Sequence, residues 1–468
     1  MIEIAEDRHD ASEPDAGTGP RERGRGGHEI ECMVDGGCSH GKDLREWQKL
    51  KKERDGMNEE RQGGDDRPGP LDGIKVVEYG VFHAGPGAGA ILGDLGAQVI
   101  KIEMKEGDPE RYWTKVGQID FSLPPNGDSL MFEFSNRHKR GICLDIRKEK
   151  GREIFLRLLK DADVFLTNLR KTTKVKLGID YATLSQVNPK LIHANVSGYG
   201  PEGPMSNVGA FDPMGQARSG MMFATGSKEP TLLHLGVVDQ ATAIAASHAI
   251  LAALVARERK GIGQEVHVSI YSTALWLLYA NVMSASYLNI DPGQPGVRTQ
   301  ASPLRNAFRC KDGNWIIGVH HPEERYWPRL CQATGKEDLL EDARFSDPSG
   351  RRERCEELVA LFDQVFATRT RDEWMELLPR HGLMFCPVQR VHEVLGDPQA
   401  LINHYVVPFH HPALGEVQLP GYPAHFSACS ADTRGLAPAI GQHTDEILRE
   451  AGYSDADIRE LRQGRVIR

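Results

Sequence analysis

No run of eighteen consecutive apolar residues occurs in these 468 residues, so no segment reads as a membrane span. The Met1 end is acidic and polar and lacks the basic start and apolar middle of a secretory leader. Basic charge is also short, since 57 Lys and Arg stand against 66 Asp and Glu, a net −9. That balance gives no footprint for nucleic acid. The eight cysteines (Cys32, Cys38, Cys143, Cys310, Cys331, Cys355, Cys386 and Cys429) follow no framework spacing, which suits reduced thiols and a cytoplasmic protein. His28, Cys32, Cys38 and His40 match no strong ligand pattern, and no metal is expected there. The string around Gly85, Gly87 and Gly89 is not GxGxxG in register, and no acid is placed as a ribose ligand. A nicotinamide cofactor is therefore not expected, while a ligand containing another kind of nucleotide stays open.

What is present is a globular composition, 40% hydrophobic and 26% charged, in a chain long enough for two or three domains. Residues 1–69 are dense in charge and glycine and poor in large apolar residues. Such a segment cannot bury enough surface to offset chain entropy, so disorder is expected, with a short helix at 44–54. From "GPLDGIKVVEYG" onward, strands and helices alternate: Ile74–Val77, the glycine-rich turn and helix of "GVFHAGPGAGAILGDLG", "AQVIKIE", "RGICLDI", "KGREIFLRLLKDA", "DVFLTNL", "YATLSQVNPK" and "LIHANVSGYG". Alternation of this kind predicts an α/β fold, a mostly parallel sheet with helices on both faces. This large domain is expected to occupy 70–288. Residues 289–400, opening on the Pro/Gly-rich "NIDPGQPGVRTQASP", read as linkers and a smaller α+β domain. Its start is a hairpin turning at Lys311-Asp312-Gly313. Residues 401–468 form a β-rich return segment and a C-terminal helical piece, with Ser454 capping the last helix.

Asp239 sits where "TLLHLGVVDQATAIAASHAILAALVARERKG" turns from an apolar run into an alanine-rich helix. Leu232–Val238 is apolar enough for a short buried strand, which would place Asp239 at the N-cap or first turn of the helix. Two readings stand. The carboxylate is a helix cap held ionised by the free N–H groups and the dipole, or it is a nucleophile at the C-terminal edge of an α/β sheet.

"PLDGIKVVEYGVFHAGPGAGAILGDLGAQVIKIE", "NRHKRGICLDI", "LIHANVSGYGPEGP", "GAFDPMGQARSG", "GVVDQATAIAASHAILAALVARERKGIGQEVHVSI" and "GQHTDEILREAGY" lie in one order. Together they resemble the class III CoA-transferase family, the group of formyl-CoA and carnitine CoA-transferases, from about Pro70 to the end. The resemblance implies a Rossmann-like large domain, a smaller domain, and two subunits interlocked as a homodimer. It implies coenzyme A and acyl-CoA as substrates, with no permanently bound cofactor, and a carboxylic acid as acceptor. It places the catalytic aspartate on Asp239, which would form first a mixed anhydride and then a thioester with CoA. His83 falls on an active-site position, and Ala84 and Gly85 fall along the pantetheine. Lys139, Arg140, Lys176 and Leu177 fall near the CoA phosphates. Asp212 and Gln216 fall near the nucleophile. Phe211 stands where the family's racemases carry a catalytic histidine, which argues for transfer and against proton transfer at the α-carbon. A racemase or isomerase, or a CoA-binding protein without turnover, are the alternatives. Trp315, Tyr326 and Trp327 read either as an aromatic acyl pocket or as core, and His320 and His321 either as substrate contacts or as a strand end.

Overall fold

The computed structural model describes residues 67–124, 127–290, 298 and 302–468. The expected disorder of the N-terminal segment, the helix at 44–54 and the residues His28 to His40 lie outside these. Among the described residues, the large unit is a six-stranded parallel sheet. Its strands are β1 (Lys75–Glu78), β2 (Gln98–Glu103), β3 (Lys139–Cys143), β4 (Val164–Thr167), β5 (Ile192–Ser197) and β6 (Gln264–Ser269). They lie in the order β3-β2-β1-β4-β5-β6. This is the doubly wound order, and its direction of travel reverses between β1 and β4, where such folds open a crevice at the carboxyl ends of the strands.

The helices between strands are α1 (Pro86–Asp94), α2 (Leu130–Asn136), α3 (Glu149–Lys160), α4 (Lys171–Leu177), α5 (Tyr181–Val187), α6 (Asp212–Ser219) and α7 (Val237–Lys260), followed by α8 (Ile270–Leu277). Successive residues of a strand point to opposite faces, and the two faces carry separate cores. Val76, Val99, Leu166 and Ile192 pack with Ala88, Leu92, Val238, Ala243, Ala246 and Ile250 of α1 and α7. On the other face, Val77, Ile102 and Phe165 pack with Ile154, Phe155 and Leu159 of α3 and with Ile447, Leu448 and Ile458 near the C-terminus. Each fully buried aliphatic side chain contributes about 1.5–3 kcal/mol. The C-terminal residues thus complete the large unit, and Ser454 caps Asp455–Gln463 in a capping box with Asp457.

Small residues let α1 and α7 approach closely, for a Cβ at Gly87 would lie 3.0 Å from that of Ala243. α7 is long and apolar enough to cross a membrane by length and composition. Its Val238-Ala243-Ala246-Ile250-Ala253 stripe is nonetheless buried in the sheet's core, as a core helix would be. The strand expected at Leu232–Val238 does not form. Residues 232–236 are a loop, and α7 already begins at Val237, after Gly236 in the left-handed conformation at φ 72°.

A third core lies in the later part of the chain. Three antiparallel strands, β7 (Arg305–Arg309), β8 (Trp315–Val319) and β9 (Phe385–Val388), pair in sequence, and the turn at Gly313 takes φ 81°. Helices Glu323–Thr334, Cys355–Phe366 and Arg371–Arg380 cover them. Tyr326 and Trp327 are buried in this core, which rules out the reading of an open acyl pocket there. Trp315 is partly exposed on β8. His320 is wholly buried, its Nδ1 on the Leu304 carbonyl and its Nε2 accepting from the Met384 N–H. A hairpin of Val406–His411 and Gly415–Pro420 leads back to the large unit.

Candidate active site

The loop that leaves β1 at the sheet's switch point carries Phe82, His83, Ala84 and Gly85, and buried charge holds it in place. Glu78 at the end of β1 pairs with Lys101 Nζ at 3.1 Å and Lys139 Nζ at 2.7 Å, and all three side chains are closed to solvent. Lys101 also donates to the Gly80 carbonyl and to Asp108. Asp108 in turn accepts the Phe82 N–H at 3.1 Å. Burial pulls the Lys101 ammonium down, but Glu78, Asp108 and Glu103 overcome it and hold it above its usual range. Lys139 loses that contest: burial brings it down to about 8 against the pull of Glu78. From the β4 side, Asn168 Oδ1 accepts the Val81 N–H and its Nδ2 donates to the Val81 carbonyl. A Cβ on Gly85 would lie 3.0 Å from Asn168, so a side chain at that position would displace the brace.

His83 is buried, not a solvated loop residue. It stacks on Phe134 with ring centroids 4.2 Å apart, and its Nδ1 lies 2.9 Å from Ser135 Oγ. Its Nε2 lies 2.7 Å from Gln240 Oε1, an acceptor, which assigns the proton to Nε2. Burial drives its pKa down to about 4 despite the Gln240 bond, so the ring is neutral at physiological pH.

Asp239 is the third residue of α7, next to Gln240. It does not cap its own helix. Asp212, the first residue of α6, does so from elsewhere in the chain, its Oδ2 accepting the N–H groups of Val238 at 2.6 Å and Asp239 at 3.1 Å. Gln216, one turn further along α6, donates to Asp212 Oδ1 and grips the Leu233 backbone at both N–H and carbonyl. The Asp239 side chain is left free of the capping role, and its Oδ1 is buried with no partner. Burial and then the charge of Asp212 push its pKa up to about 7, with the Asp212 backbone N–H pulling the other way. The expectation that the helix start keeps this carboxylate firmly ionised is therefore wrong. Desolvation and a like charge outweigh a dipole that supplies about 0.3–1 kcal/mol at exposed sites.

Asp212, Gln216 and Asp239 come together at the start of α7, Phe211 adjoins Asp212, and His83 reaches them through Gln240, while Ala84 and Gly85 are buried on the loop of His83. The basic positions do not join them. Lys139 is consumed by Glu78, the Pro86 carbonyl and Asn136, and Arg140 is held by Glu446 and Glu450. Lys176 is exposed on α4, and the Leu177 carbonyl accepts from Arg152. Sequence reasoning missed Gln240, Ser135 and Asp108. The one cue was that Gln240 adjoins Asp239.

The family model for CoA-transferase family III matches residues 71–444. The chain belongs to that family. It is 32% identical over 401 residues to the (R)-2-hydroxy-4-methylpentanoate CoA-transferase of Clostridioides difficile, covering 85% of this chain and 99% of that one. It is 31% identical over 403 residues to the cinnamoyl-CoA:phenyllactate CoA-transferase of Clostridium sporogenes, covering 85% and 97%. Among solved structures, a CAIB/BAIF family protein from Brucella suis superposes with a TM-score of 0.74 at 29% identity, covering 82% of this chain and all of that one. The protein is thus a family III CoA-transferase, with CoA thioesters as its substrates.

Proposed function

We propose that Asp239 is the covalent carrier in transfer of CoA from an acyl-CoA to a carboxylic acid. The observation that carries this reading is the division of labour at the start of α7. Asp212 satisfies the helix N–H groups, and the Asp239 carboxylate, left out of that bonding, has one oxygen without a partner.

In the ionised state an Asp239 oxygen attacks the thioester carbonyl carbon. The C–S bond breaks, CoA leaves as thiolate, and an aspartyl-acyl anhydride forms. The thiolate then attacks the Asp239 carbonyl carbon, releasing the first acid as carboxylate and leaving an aspartyl-CoA thioester. An incoming carboxylate attacks that thioester, the C–S bond breaks to release CoA thiolate and a new anhydride forms, and the thiolate attacks its acyl carbon to give the new acyl-CoA and restore the Asp239 carboxylate. His83 holds Gln240 by its Oε1, which leaves the amide N–H groups of Gln240 as donors for charge developing on the carbonyl oxygens. Ala84 and Gly85 line the CoA side of the loop, with Lys176 and Leu177 further out. Lys139 serves the loop rather than a phosphate.

The racemase alternative has no support from Phe211, which cannot exchange a proton. A homodimer remains part of this reading and is checked by sedimentation. The mechanism is tested by quenching turnover with hydroxylamine and mapping the product by mass spectrometry. A hydroxamate on Asp239 supports it, and one on another residue overturns it.

A further inference from the structure

Three rings meet where the segments carrying His83 and Asp212 approach one another. Phe82 meets Phe211 edge to face, centroids 5.1 Å apart and planes at 89°. It meets Trp113 in the same manner at 5.9 Å and 84°, and Trp113 lies 6.5 Å from Phe211. Two of the rings are tied to the nucleophile through their neighbours in the chain. Phe82 precedes His83, which bonds Gln240, and Phe211 precedes Asp212, which caps the helix at Asp239. Segments from three separate parts of the sheet therefore converge on one point.

The cluster is not a finished core. Phe211 keeps 44% of its surface in solvent and Trp113 keeps 39%. Phe82 is held at φ 57°, a conformation that costs a non-glycine residue about 1–3 kcal/mol and persists only where its surroundings impose it. Asp108 imposes it here by accepting the Phe82 N–H. An open group of rings, one of them kept on a strained turn, on segments that also brace the start of α7 has the character of a ligand surface.

Chemistry narrows the ligand. Pantetheine carries amides that need hydrogen-bond partners, and the nucleotide carries phosphates that need cations, whereas clustered rings supply chiefly apolar area. The cations behind the loop are spent: Lys101 on Glu78 and Asp108, Lys139 on Glu78, and Arg111 on Glu103. None of these three is offered to a second carboxylate, and the neutral His83 adds no charge. The faces of aromatic rings are themselves electron-rich, so a remote carboxylate placed against them would lose its hydration without compensation.

We propose that Phe82, Trp113 and Phe211 form the pocket for the acyl side chain, and that the enzyme's acids are monocarboxylic acids with an aryl or branched apolar side chain. This rests on the transferase reading given above. Removing one ring is expected to cost about 10- to 200-fold in discrimination, the range for losing apolar contact in a substrate pocket.

The test is identity exchange, in which each acyl-CoA is incubated with its own isotopically labelled acid, so that no donor need be guessed. The four probes are 3-phenylpropionate, 4-methylpentanoate, acetate and succinate. The wild type is expected to exchange the first two with kcat/KM at least about tenfold above the last two. Phe211→Ala and Trp113→Ala are expected to lower the aryl acid at least about tenfold more than acetate, with Phe211→Leu intermediate and thermal melts confirming the fold. Wild-type preference for succinate or acetate overturns the pocket while leaving the transferase reading intact. An equal loss on all four acids, or a change in sedimentation with that equal loss, assigns the rings to CoA or to a subunit interface and overturns it as well. No exchange with any acid by a folded wild type removes the transferase reading and the pocket with it.

Discussion

The Asp212 carboxylate accepts the backbone N–H of Asp239 at 3.1 Å, so one acid caps the helix whose first turn presents the other. The two carboxylates share a single helix start, and only one is paid in hydrogen bonds. Asp212 gains the bonds of Val238, Asp239 and Gln216, while Asp239 is raised to about 7 by burial and by Asp212. A carboxylate with that environment is a stronger base and a better nucleophile than an exposed one, and it is costly to the fold.

That cost is measurable. The folded pKa of Asp239 exceeds its unfolded value of about 3.9, so the fold favours the protonated form. Its penalty is absent below about pH 4, grows as pH rises toward 7, and stands in full above that. Asp239→Asn cannot ionise. It is expected to abolish exchange, to melt with the wild type near pH 4, and to be about 1–2 kcal/mol more stable at pH 8, a figure reduced for the partial exposure of the site. Thermal melts at the two pH values check this, and a variant less stable than wild type at pH 8 contradicts it.

Activity carries the same titration. Attack requires the ionised acid, so kcat/KM of the free enzyme is expected to rise tenfold per pH unit below about 7 and level off above it. Asp212→Asn removes the second cause of the raised pKa, and the rising limb is expected to move to lower pH. The amide offers one acceptor oxygen where two were in use, so the start of α7 should weaken by about 1 kcal/mol. An unmoved limb in this variant would show that Asp212 does not set the charge at Asp239.

How much of this was legible in the sequence depends on the range of each interaction. The strand-helix alternation follows from local periodicity, as do the Gly313 hairpin and the Ser454 capping box, because each depends on neighbours within a few residues, whereas the strand order with its switch point rests on pairings such as Val76 with Val164 that no local pattern shows. The Leu232–Val238 segment misled because apolar content alone cannot distinguish a buried strand from a loop. What decides it is the Gln216 amide gripping Leu233 from 17 residues away. The cap from Asp212 acts over 27 residues, a separation no spacing rule anticipates. Lys139 fell near the CoA phosphates by resemblance alone, and nothing local in the sequence marks it as one of the rare buried, paired lysines. Glu78, its partner, is 61 residues earlier.

His83 should act through its neutral ring. Burial lowers its pKa to about 4, below the unfolded value of about 6.5. The stability it contributes is therefore present above pH 6.5 and is lost as pH falls toward 4. His83→Gln can still donate to Gln240, whereas His83→Ala cannot. We expect kcat to fall about 10-fold in the first and about 100-fold or more in the second, in the range for losing a positioned hydrogen-bond donor. The acid sensitivity between pH 6.5 and 4 should shrink in both. Equal rates in the two variants would mean that the bond to Gln240 has no part in turnover.

Glu110 offers a test of the charge network that leaves the nucleophile untouched. It is wholly buried, and burial followed by the charge of Asp108 pushes its pKa up to about 8, while the Ser135 hydroxyl, Lys101 and Lys139 pull it back. At neutral pH it is therefore mostly protonated, and the fold is spared a second buried anion beside Asp108. Raising the pH removes that proton inside the fold, whereas the unfolded chain has already lost it near pH 4.3. Stability must then fall between about pH 4 and 8 on account of this residue. Glu110→Gln keeps the shape and cannot ionise. It is expected to match the wild type in denaturant midpoint near pH 4 and to exceed it by at least about 1 kcal/mol at pH 8.5. Both Glu110 carboxyl oxygens are without a hydrogen-bond partner, and Ser135, whose hydroxyl acts on the Glu110 charge, bonds the His83 ring, so the same substitution also asks whether the site needs that proton. If it does, exchange at pH 8.5 should be faster in Glu110→Gln than in the wild type, because the amide keeps the uncharged state that the wild type loses there. A variant less stable at pH 8.5 would mean that Glu110 is ionised and paired in the fold, and the account of the buried charges behind the His83 loop would have to be reversed.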